Sequence, residues 1–239
     1  DGKNDVSVIC TQPTYNQRGT KAPHIERRNG VNIRRCWSTT YDSKSILGRI
    51  MNQATGTVVI GVRALFKVGR NDKVLVVTNP PTLPYVIRTV CWLKSAKFLL
   101  LVHDVYPDVL VPLGMIRPSN PLFRLVSWLN GKLYQSSHSV IALGRDMERM
   151  IAEKLRDTAE VTIIPNWGNV EDIRPTNKIQ NPLLRSMNIA DKFVVQYSGN
   201  HGRTHDLTNL IEAANLLKHQ TEIHFLFIGE GSGKSAAVE

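Results

Sequence analysis

Short runs of aliphatic and β-branched residues alternate along the chain with longer segments in which apolar residues recur every three or four positions. The short runs have the length and composition of buried strands, and the longer segments have the spacing of amphipathic helices. This alternation predicts an α/β fold built on a Rossmann-like, doubly wound parallel sheet that helices cover on both faces. The strands are predicted at residues 6–10, 74–78, 98–102, 139–143, 161–164, 193–197 and 223–228.

Two segments of the first part of the chain depart from this simple alternation. Residues 24–35 predict a β-hairpin, because Asn29-Gly30 is a dipeptide that favours a type I′ turn. Residues 43–68 have the spacing of one long amphipathic helix, although Gly56 and Gly61 stand inside it. Further helices are predicted at residues 83–95, 145–155 and 207–218.

The alternation is interrupted at residues 165–182, which are rich in proline, asparagine and charge. This interruption predicts a Rossmann-like first domain over residues 1–175, a linker over 176–191 and a second Rossmann-like domain over 192–239. Two parallel strands and one helix cannot bury a core of their own. The second domain is therefore expected to be incomplete, the chain to be a fragment, and the first domain to lack its first strand.

Charge is distributed unevenly along the 239 residues. The chain has 30 Lys and Arg against 20 Asp and Glu, a formal net charge of +10. Residues 1–175 hold 24 basic and 14 acidic side chains, whereas residues 176–239 hold six of each. A basic surface favours an anionic partner such as nucleic acid, lipid headgroups or a phosphorylated substrate, and solvated charge kept for solubility is the alternative.

The predicted helix at residues 43–68 is the strongest candidate for a membrane contact. A basic helix with isoleucine, leucine and phenylalanine on its other face can lie on an anionic membrane surface, and an ordinary core-packed helix is the alternative. The basic segment at residues 18–35 lacks the interleaved aromatic side chains that stack on nucleic-acid bases. The basic residues on or beside the helix are Lys44, Arg49, Arg63, Lys67 and Arg70.

The cysteines and the apolar runs argue against several classes of protein. Cys10, Cys36 and Cys91 are far apart and form no C-x-x-C pair, which disfavours a zinc site and a disulfide framework. A reducing compartment fits this usage. No apolar run reaches the roughly 18 residues that a membrane-spanning helix needs.

Polar residues that could carry chemistry follow two of the predicted strands. His103 and Asp104 stand at the carboxyl end of a strand, where open α/β sheets bind their ligands, and a histidine there can transfer a proton. A helix-capping aspartate beside a structural histidine is the alternative. Residues 199–205 lie between a strand and a helix, so their backbone N–H groups could hold a diphosphate, or could simply form a tight turn.

Four motifs, in the same order, resemble those of retaining family-four glycosyltransferases, which have the GT-B fold. Residues 161–175 resemble the interdomain segment, a strand followed by Pro-Asn-Trp and a later x-Pro. Residues 103–108 (His-Asp-Val-Tyr-Pro-Asp) are similar to the family's (Arg/His)-Asp-aromatic-Pro loop. Residues 197–202 resemble the Gly-rich turn that opens the donor domain, and residues 227–231 the strand-Gly-acid-Gly step that follows. The Pro-Asn-Trp variant is closest to subgroups that build bacterial surface polysaccharides.

The resemblance implies transfer of a sugar from a UDP- or GDP-linked donor to a glycan or polyprenyl-lipid-linked acceptor, with retention, in the cytoplasm or on the inner face of the cell membrane. It implies no metal and no cofactor. His103 and Asp104 would be catalytic, facing the donor sugar and the acceptor. His205 stands where the family more often has lysine or glutamine. The residues that would bind the donor are Gly199, Asn200, Gly202, Arg203 and His205.

Two parts of the family's machinery are absent from these 239 residues: the paired glutamates that contact the donor, and the Gly-rich acceptor loop. The chain alone is therefore expected to be inactive. The competing hypothesis is a basic Rossmann-like module that binds a nucleotide or nucleic acid without transfer chemistry. The Pro-Asn-Trp segment favours the transferase, for which no nucleic-acid partner is expected.

Overall fold

The computed structural model describes residues 4–13, 22–42, 45–155, 160–168, 171, 173–201 and 207–231. The chain forms two compact units, Asp1–Asn166 and Trp167–Glu239, and each is described by itself. The boundary between the two units, after Asn166, lies within the predicted interdomain segment and before the predicted boundary at residue 175. The division into two domains joined by a linker, made from the sequence, stays a prediction.

The first unit begins with a small mixed sheet. Strand β1 (Ser7–Thr11) pairs in parallel with β3 (Val31–Cys36), and β2 (Ile25–Arg28) pairs antiparallel with β3. The turn between β2 and β3 has positive φ at both central residues, 51° at Asn29 and 81° at Gly30. A type I′ turn requires this conformation, so the predicted hairpin is confirmed.

A parallel sheet forms the centre of the first unit, and its strands pair in the order of the chain. Val77, the last residue of the first strand, lies opposite Leu101, which in turn lies opposite Ile141. This register places the carboxyl ends of the strands along one edge. The strands are β4 (Lys73–Val77), β5 (Lys97–Val102), β6 (Ser139–Ala142) and β7 (Val161–Ile163).

One face of this sheet is packed against helices. Leu100 and Val102 are fully buried there with Ile151 and Leu155 of the last helix. The opposite face is more open, since Leu75 is 57% exposed. The crossovers between β4 and β7 all run in the same direction along the sheet. The helices are α1 (Ile46–Lys67), α2 (Leu83–Lys94), α3 (Pro121–Gln135) and α4 (Arg145–Leu155).

Helix α1 is continuous in spite of its internal glycines. A Cβ atom added to Gly61 would lie 2.5 Å from Val86 Cγ1 of α2, and one added to Gly56 would lie 3.2 Å from Thr11 Cγ2 of β1. Glycine costs a helix interior about 1 kcal/mol relative to alanine. At these positions the missing side chain lets α1 approach α2 and β1 closely, which accounts for glycines inside a helix.

Local capping defines the start of α3, the helix that later bears on the site. Asn120 Oδ1 accepts a hydrogen bond from the Leu122 N–H at 2.8 Å. Pro121 occupies the first helical position, where its fixed φ suits the helix and its missing N–H costs nothing. This cap explains why the helix begins at Pro121.

The second unit has a smaller core. Leu184, Ile189 and Leu226 form its buried apolar cluster. Parallel strands run next to each other and confirm the predicted strand–helix–strand cycle. Its elements are a short 3₁₀ turn at Lys178–Gln180, α5 (Pro182–Ser186), β8 (Phe193–Ser198), α6 (Thr208–Leu216) and β9 (Ile223–Ile228). A second 3₁₀ turn, Asp108–Leu110, belongs to the first unit.

The parallel strands and their helices confirm the α/β, Rossmann-like fold class. Within the described part of the chain, no helix combines the length and the apolar character needed to cross a bilayer.

Candidate functional site

His103 and Asp104 follow β5 directly, at the carboxyl edge of the parallel sheet. The backbone N–H of His103 donates a hydrogen bond to Thr78 Oγ1 at 3.0 Å, and Thr78 follows the neighbouring strand β4. This bond fixes the start of the loop to the next strand along the edge. His103 is half-buried and Asp104 is exposed, so the first candidate site lies where open α/β sheets bind their ligands.

The middle of this loop is held by a buried asparagine of α3. Asn130 Nδ2 donates to the carbonyl oxygen of Tyr106 at 2.6 Å, and Asn130 Oδ1 accepts from the Tyr85 hydroxyl of α2 at 2.6 Å. Burial raises the pKa of Tyr85, so this hydroxyl keeps the proton that it donates. Asn130 therefore connects the loop to two helices through a network in which both ends of the amide are used.

The far end of the loop is held by an ion pair. Lys154 Nζ of α4 lies 3.1 Å from Asp108 Oδ1 and 2.9 Å from Asp108 Oδ2, and it also donates to Ser127 Oγ at 2.8 Å. The two charged side chains are only 13% and 23% exposed. Such a pair is costly to break, because the remaining charge would stay poorly solvated.

These contacts fix the loop of residues 103–108 at three points. They leave the side chains of His103 and Asp104, at the start of the loop, available to a substrate. His103 and Asp104 make no side-chain hydrogen bond or ion pair with any described residue. Tyr106 is protonated at neutral pH, because burial first and the Asp104 charge second raise its pKa. A positioned imidazole beside a carboxylate can exchange protons with a substrate hydroxyl or hydrogen-bond to it.

In the second unit, two backbone hydrogen bonds join the loop after β8 to the loop after β9. The Gly199 N–H donates to the Ile228 carbonyl oxygen at 2.9 Å, and the His201 N–H donates to the Glu230 carbonyl oxygen at 2.9 Å. Two amides of the predicted diphosphate-binding segment are thus engaged within the protein. The other predicted donor residues, apart from Asn200, lie outside the described residues: Gly202, Arg203 and His205.

Asn200 and His201 pack on an aromatic ring from the strand that precedes them. The Tyr197 hydroxyl donates to the Asn200 carbonyl oxygen at 3.0 Å, and the rings of Tyr197 and His201 have centroids 5.5 Å apart. His201 is only 3% exposed, and neither of its ring nitrogens has a hydrogen-bond partner among the residues that the structure describes. The sequence singled out the glycines and Asn200 here but not His201, whose burial no local pattern reveals.

Gly229 is required for the close approach of the two loops in the second unit. It has a φ of +151°, and a Cβ atom there would lie 1.8 Å from the Gly199 carbonyl oxygen. We expect Gly229→Ala to destabilise this unit by roughly 1–3 kcal/mol, the usual effect of overpacking. Hydrogen exchange would show it as faster exchange of the Gly199 and His201 amides.

Gly168 provides the matched control in the same unit. An added Cβ there meets no atom within 4 Å, and its φ is not in the positive region that strains other residues. Gly168→Ala should therefore leave the exchange of both loop amides unchanged. Equal protection in Gly229→Ala and wild type would show that the loops tolerate a side chain and that their contact is looser than described.

Asn130 should contribute more to stability than its packing alone, because both the oxygen and the nitrogen of its side-chain amide form hydrogen bonds. In Asn130→Leu, the Tyr85 hydroxyl and the Tyr106 carbonyl oxygen lose their hydrogen-bond partners. A polar group that stays buried without a partner costs roughly 1–3 kcal/mol of stability. We expect a lower free energy of unfolding of the first unit in chemical denaturation. The double variant Tyr85→Phe/Asn130→Leu should lose less than the two single variants added together, and strict additivity would contradict the network.

Sequence analysis did not identify the residues that position the first loop. Asn130 and Lys154 lie 24 and 46 residues from their loop partners Tyr106 and Asp108, and nothing in the sequence pairs them. One signal was present: Asn130 stands on the apolar side of α3, next to Leu133, where an unpaired amide would be costly. Thr78 carries no comparable signal.

The described residues contain no group of three or more His, Cys, Asp and Glu side chains that could hold a metal ion. The metal independence implied by the sequence resemblance stays a prediction.

Comparisons with known proteins identify the family of the chain. Residues 3–167 match the family model described as a glycosyl transferase 4-like domain. The chain is 31% identical over 187 residues to the probable glycosyltransferase WbjE of Pseudomonas aeruginosa, covering 78% of this chain and 46% of that protein. It is 26% identical over 153 residues to the putative colanic acid biosynthesis glycosyl transferase WcaI of Escherichia coli (strain K12), covering 62% of this chain and 37% of that protein.

A solved structure shares the fold. The Anabaena protein Alr3699/HepE, in complex with UDP and glucose, superposes with a TM-score of 0.57 at 12% identity, over 87% of this chain and 51% of that one. The 239 residues thus span about half the length, or less, of the proteins they match. The family model covers more than half of the chain, and the chain belongs to the glycosyl transferase 4-like family.

Proposed function

We propose that the protein containing this chain transfers a sugar from a nucleotide diphosphate donor to a glycan or lipid-linked acceptor, with retention of anomeric configuration. The observation that carries this proposal is the rigidly held loop of His103 and Asp104 at the carboxyl edge of a family-matched domain. The structural neighbour solved with UDP and glucose supports a nucleotide-sugar donor. The relative named for colanic acid biosynthesis supports a role in surface polysaccharide synthesis.

The two units divide the work in this proposal. His103 and Asp104 act on the acceptor side, where His103 hydrogen-bonds a sugar hydroxyl or exchanges its proton. Gly199 and Asn200, together with Gly202, Arg203 and His205, contribute to holding the donor. The Gly199 amide is already bonded to Ile228, so the diphosphate takes its hydrogen bonds from other groups of that segment. No metal and no cofactor takes part.

Charge and the family resemblance support a proposal for the acceptor and the transferred sugar. The transferred sugar is a hexose or an N-acetylhexosamine. The basic surplus of the first unit suits an acceptor that carries phosphate, such as a polyprenyl-diphosphate-linked sugar, or an anionic glycan. Such an acceptor places the enzyme on the inner face of the cell membrane.

The charge of the chain also favours a second candidate, a Rossmann-like module that binds nucleotide or nucleic acid without transfer chemistry. The two proposals separate in one comparison on the full-length protein. A transferase releases UDP or GDP from a nucleotide sugar, and random oligonucleotides do not compete. A binding module releases none, and it binds oligonucleotides with an affinity that falls steeply with salt.

A further inference from the structure

A groove runs between α3 and α4 on the helical layer of the first unit. Its volume is about 360 Å³, which lies at the small end of the range for ligand sites in proteins. Neither His103 nor Asp104 lines it, so this α3–α4 groove is separate from the candidate catalytic loop. A groove of this size suits a small ligand or one unit of a longer chain.

An exposed tryptophan forms one wall of the α3–α4 groove. Trp128 is 59% exposed, although tryptophan is usually well covered in a folded protein. Arg124 stands one helical turn before it and Lys132 one turn after it, and both line the same groove. Residues four apart on a helix are neighbours, with Cβ atoms about 5–6 Å apart. A ring stacked on the indole of Trp128 therefore has a cation within reach at either edge.

The opposite wall of the groove belongs to α4 and carries charges of both signs. Lys154 lines it, but its ammonium group is already paired with Asp108. Glu153 lines it as well and is exposed. Within the described part of the chain, Arg124, Lys132 and Glu153 form no ion pair. The groove thus offers a ligand one aromatic face, two unpaired cations and one unpaired carboxylate.

Gly131 lines the groove at a position where helix packing does not require a glycine. Glycine is unfavourable in the interior of a helix, and Gly131 lies inside α3. A Cβ atom added there would lie 3.6 Å from the Lys154 carbonyl oxygen, an ordinary van der Waals distance. In α1, by contrast, a Cβ atom at Gly61 would clash with Val86. The missing side chain at Gly131 keeps the groove open.

We infer that the α3–α4 groove binds a saccharide that carries a carboxylate, such as a uronic acid unit of a glycan. The apolar face of the sugar ring stacks on Trp128, and its carboxylate pairs with Arg124 or Lys132. Hydroxyl groups of the sugar donate to Glu153 across the groove. The inference goes beyond the proposed function, because binding here includes no transfer step. Only its biological sense, recognition of an acidic glycan away from the catalytic loop, rests on that function.

The carboxylate of Glu153 decides against other anionic ligands. A phosphate group, a lipid headgroup or a nucleic-acid backbone would pair with Arg124 and Lys132, but it brings concentrated negative charge and few hydrogen-bond donors to Glu153. A uronic acid carries a single charge at one end of its ring and hydroxyl donors around the rest. It can place the charge on the α3 wall and its hydroxyls on the α4 wall, which matches both.

The test is an NMR titration of the 239-residue chain with methyl β-D-glucuronide, and with methyl β-D-glucoside as the uncharged partner. The chain has four tryptophans, so Trp128 supplies one of only four indole N–H resonances. We expect the glucuronide to shift this resonance and the backbone amides of residues 124–132. The Kd of the glucuronide should be roughly tenfold lower than that of the glucoside, because a charge-assisted pair is added.

Three variants remove one feature of the groove each. Trp128→Ala should raise the Kd of both sugars at least roughly tenfold, since it removes the central stacking surface. Arg124→Gln/Lys132→Gln should raise the Kd of the glucuronide roughly tenfold and leave that of the glucoside unchanged. Gly131→Leu should abolish the binding of both sugars, because its side chain fills the groove.

Matched controls come from other parts of the first unit. Trp92, on α2, is 75% exposed, so Trp92→Ala removes an equally open indole. Arg63→Gln/Lys67→Gln neutralises two exposed cations on α1. His103→Ala removes the imidazole of the candidate catalytic loop. All three should bind the glucuronide with the wild-type Kd, and circular dichroism checks that every variant is folded.

Several outcomes would overturn the inference. These are an unshifted Trp128 resonance, equal Kd values for glucuronide and glucoside, or equal losses in the control variants. Tighter binding of glucose 1-phosphate than of the glucuronide would show a phosphate site instead. Glucuronide binding at Trp128 without sugar transfer by the full-length protein would support this inference and contradict the proposed function. Sugar transfer without that binding would do the reverse.

Discussion

His103→Ala is expected to lower the turnover of the full-length protein by roughly 10²-fold or more, the usual contribution of a positioned acid–base group. The imidazole stands at the end of β5, on a backbone fixed by Thr78 Oγ1, and its side chain makes no bond within the described residues. Its loss should therefore change chemistry and leave folding almost unaffected. The measurement is the rate of nucleotide release at saturating nucleotide sugar and acceptor, with thermal unfolding recorded in parallel.

His138 is the matched control for this prediction. It is exposed and immediately precedes β6, so it lies at the amino edge of the same sheet, opposite the candidate site. His138→Ala should retain wild-type turnover. Unchanged turnover in His103→Ala would remove this residue from the mechanism, and equal losses in both variants would indicate a general effect on the fold.

Lys154→Met is expected to lower the free energy of unfolding of the first unit by roughly 2–4 kcal/mol. Breaking a buried ion pair typically costs about 3–5 kcal/mol, and the 13% and 23% exposure of the two side chains reduces this somewhat. The variant leaves Asp108 without its cation and Ser127 without its donor. Chemical denaturation, with hydrogen exchange along α3 and α4, measures the loss.

Two further variants show whether the cost arises from the unpaired charge. Lys154→Met/Asp108→Leu should recover much of the lost stability, because replacing both partners by apolar residues is often neutral. Lys132→Met, at an exposed position of α3, should change stability by no more than about 0.5 kcal/mol. A double variant as unstable as Lys154→Met would show that the pair is not the source.

The elements predicted from the sequence are those whose signals are local. Asn29-Gly30 predicted the hairpin because the required positive φ values are a property of those two residues. The strand at residues 98–102 was predicted because a buried parallel strand is a continuous apolar run, and the structure extends it by one residue to Lys97. Strand and helix periodicity together were sufficient for the α/β class.

Features that depend on tertiary packing could not be predicted from the sequence as well as the local ones. Gly56 and Gly61 argued against a continuous α1, yet close packing on Thr11 and Val86 makes small residues favourable there. The order of the strands in the sheet depends on pairing between remote segments, which no local pattern reveals.

For the candidate site, too, local features could be predicted from the sequence and tertiary contacts could not. The position of His103 and Asp104 at a strand end could be predicted, since strand ends are a local feature. Their support by Asn130 and Lys154 joins residues that are remote in the sequence. For the second unit, the resemblance indicated the glycine turn, but only coordinates show that the Gly199 amide bonds to Ile228.

The central claim is sugar transfer from a nucleotide diphosphate donor, and a single assay tests it most directly. The full-length protein is incubated with UDP- or GDP-linked sugars and a polyprenyl-diphosphate-linked acceptor, and the lipid product is analysed by NMR. We expect a new glycosidic bond with the anomeric configuration of the donor, and release of the nucleoside diphosphate. Folded protein that binds the nucleotide but forms no glycosidic bond with any donor–acceptor pair would contradict it.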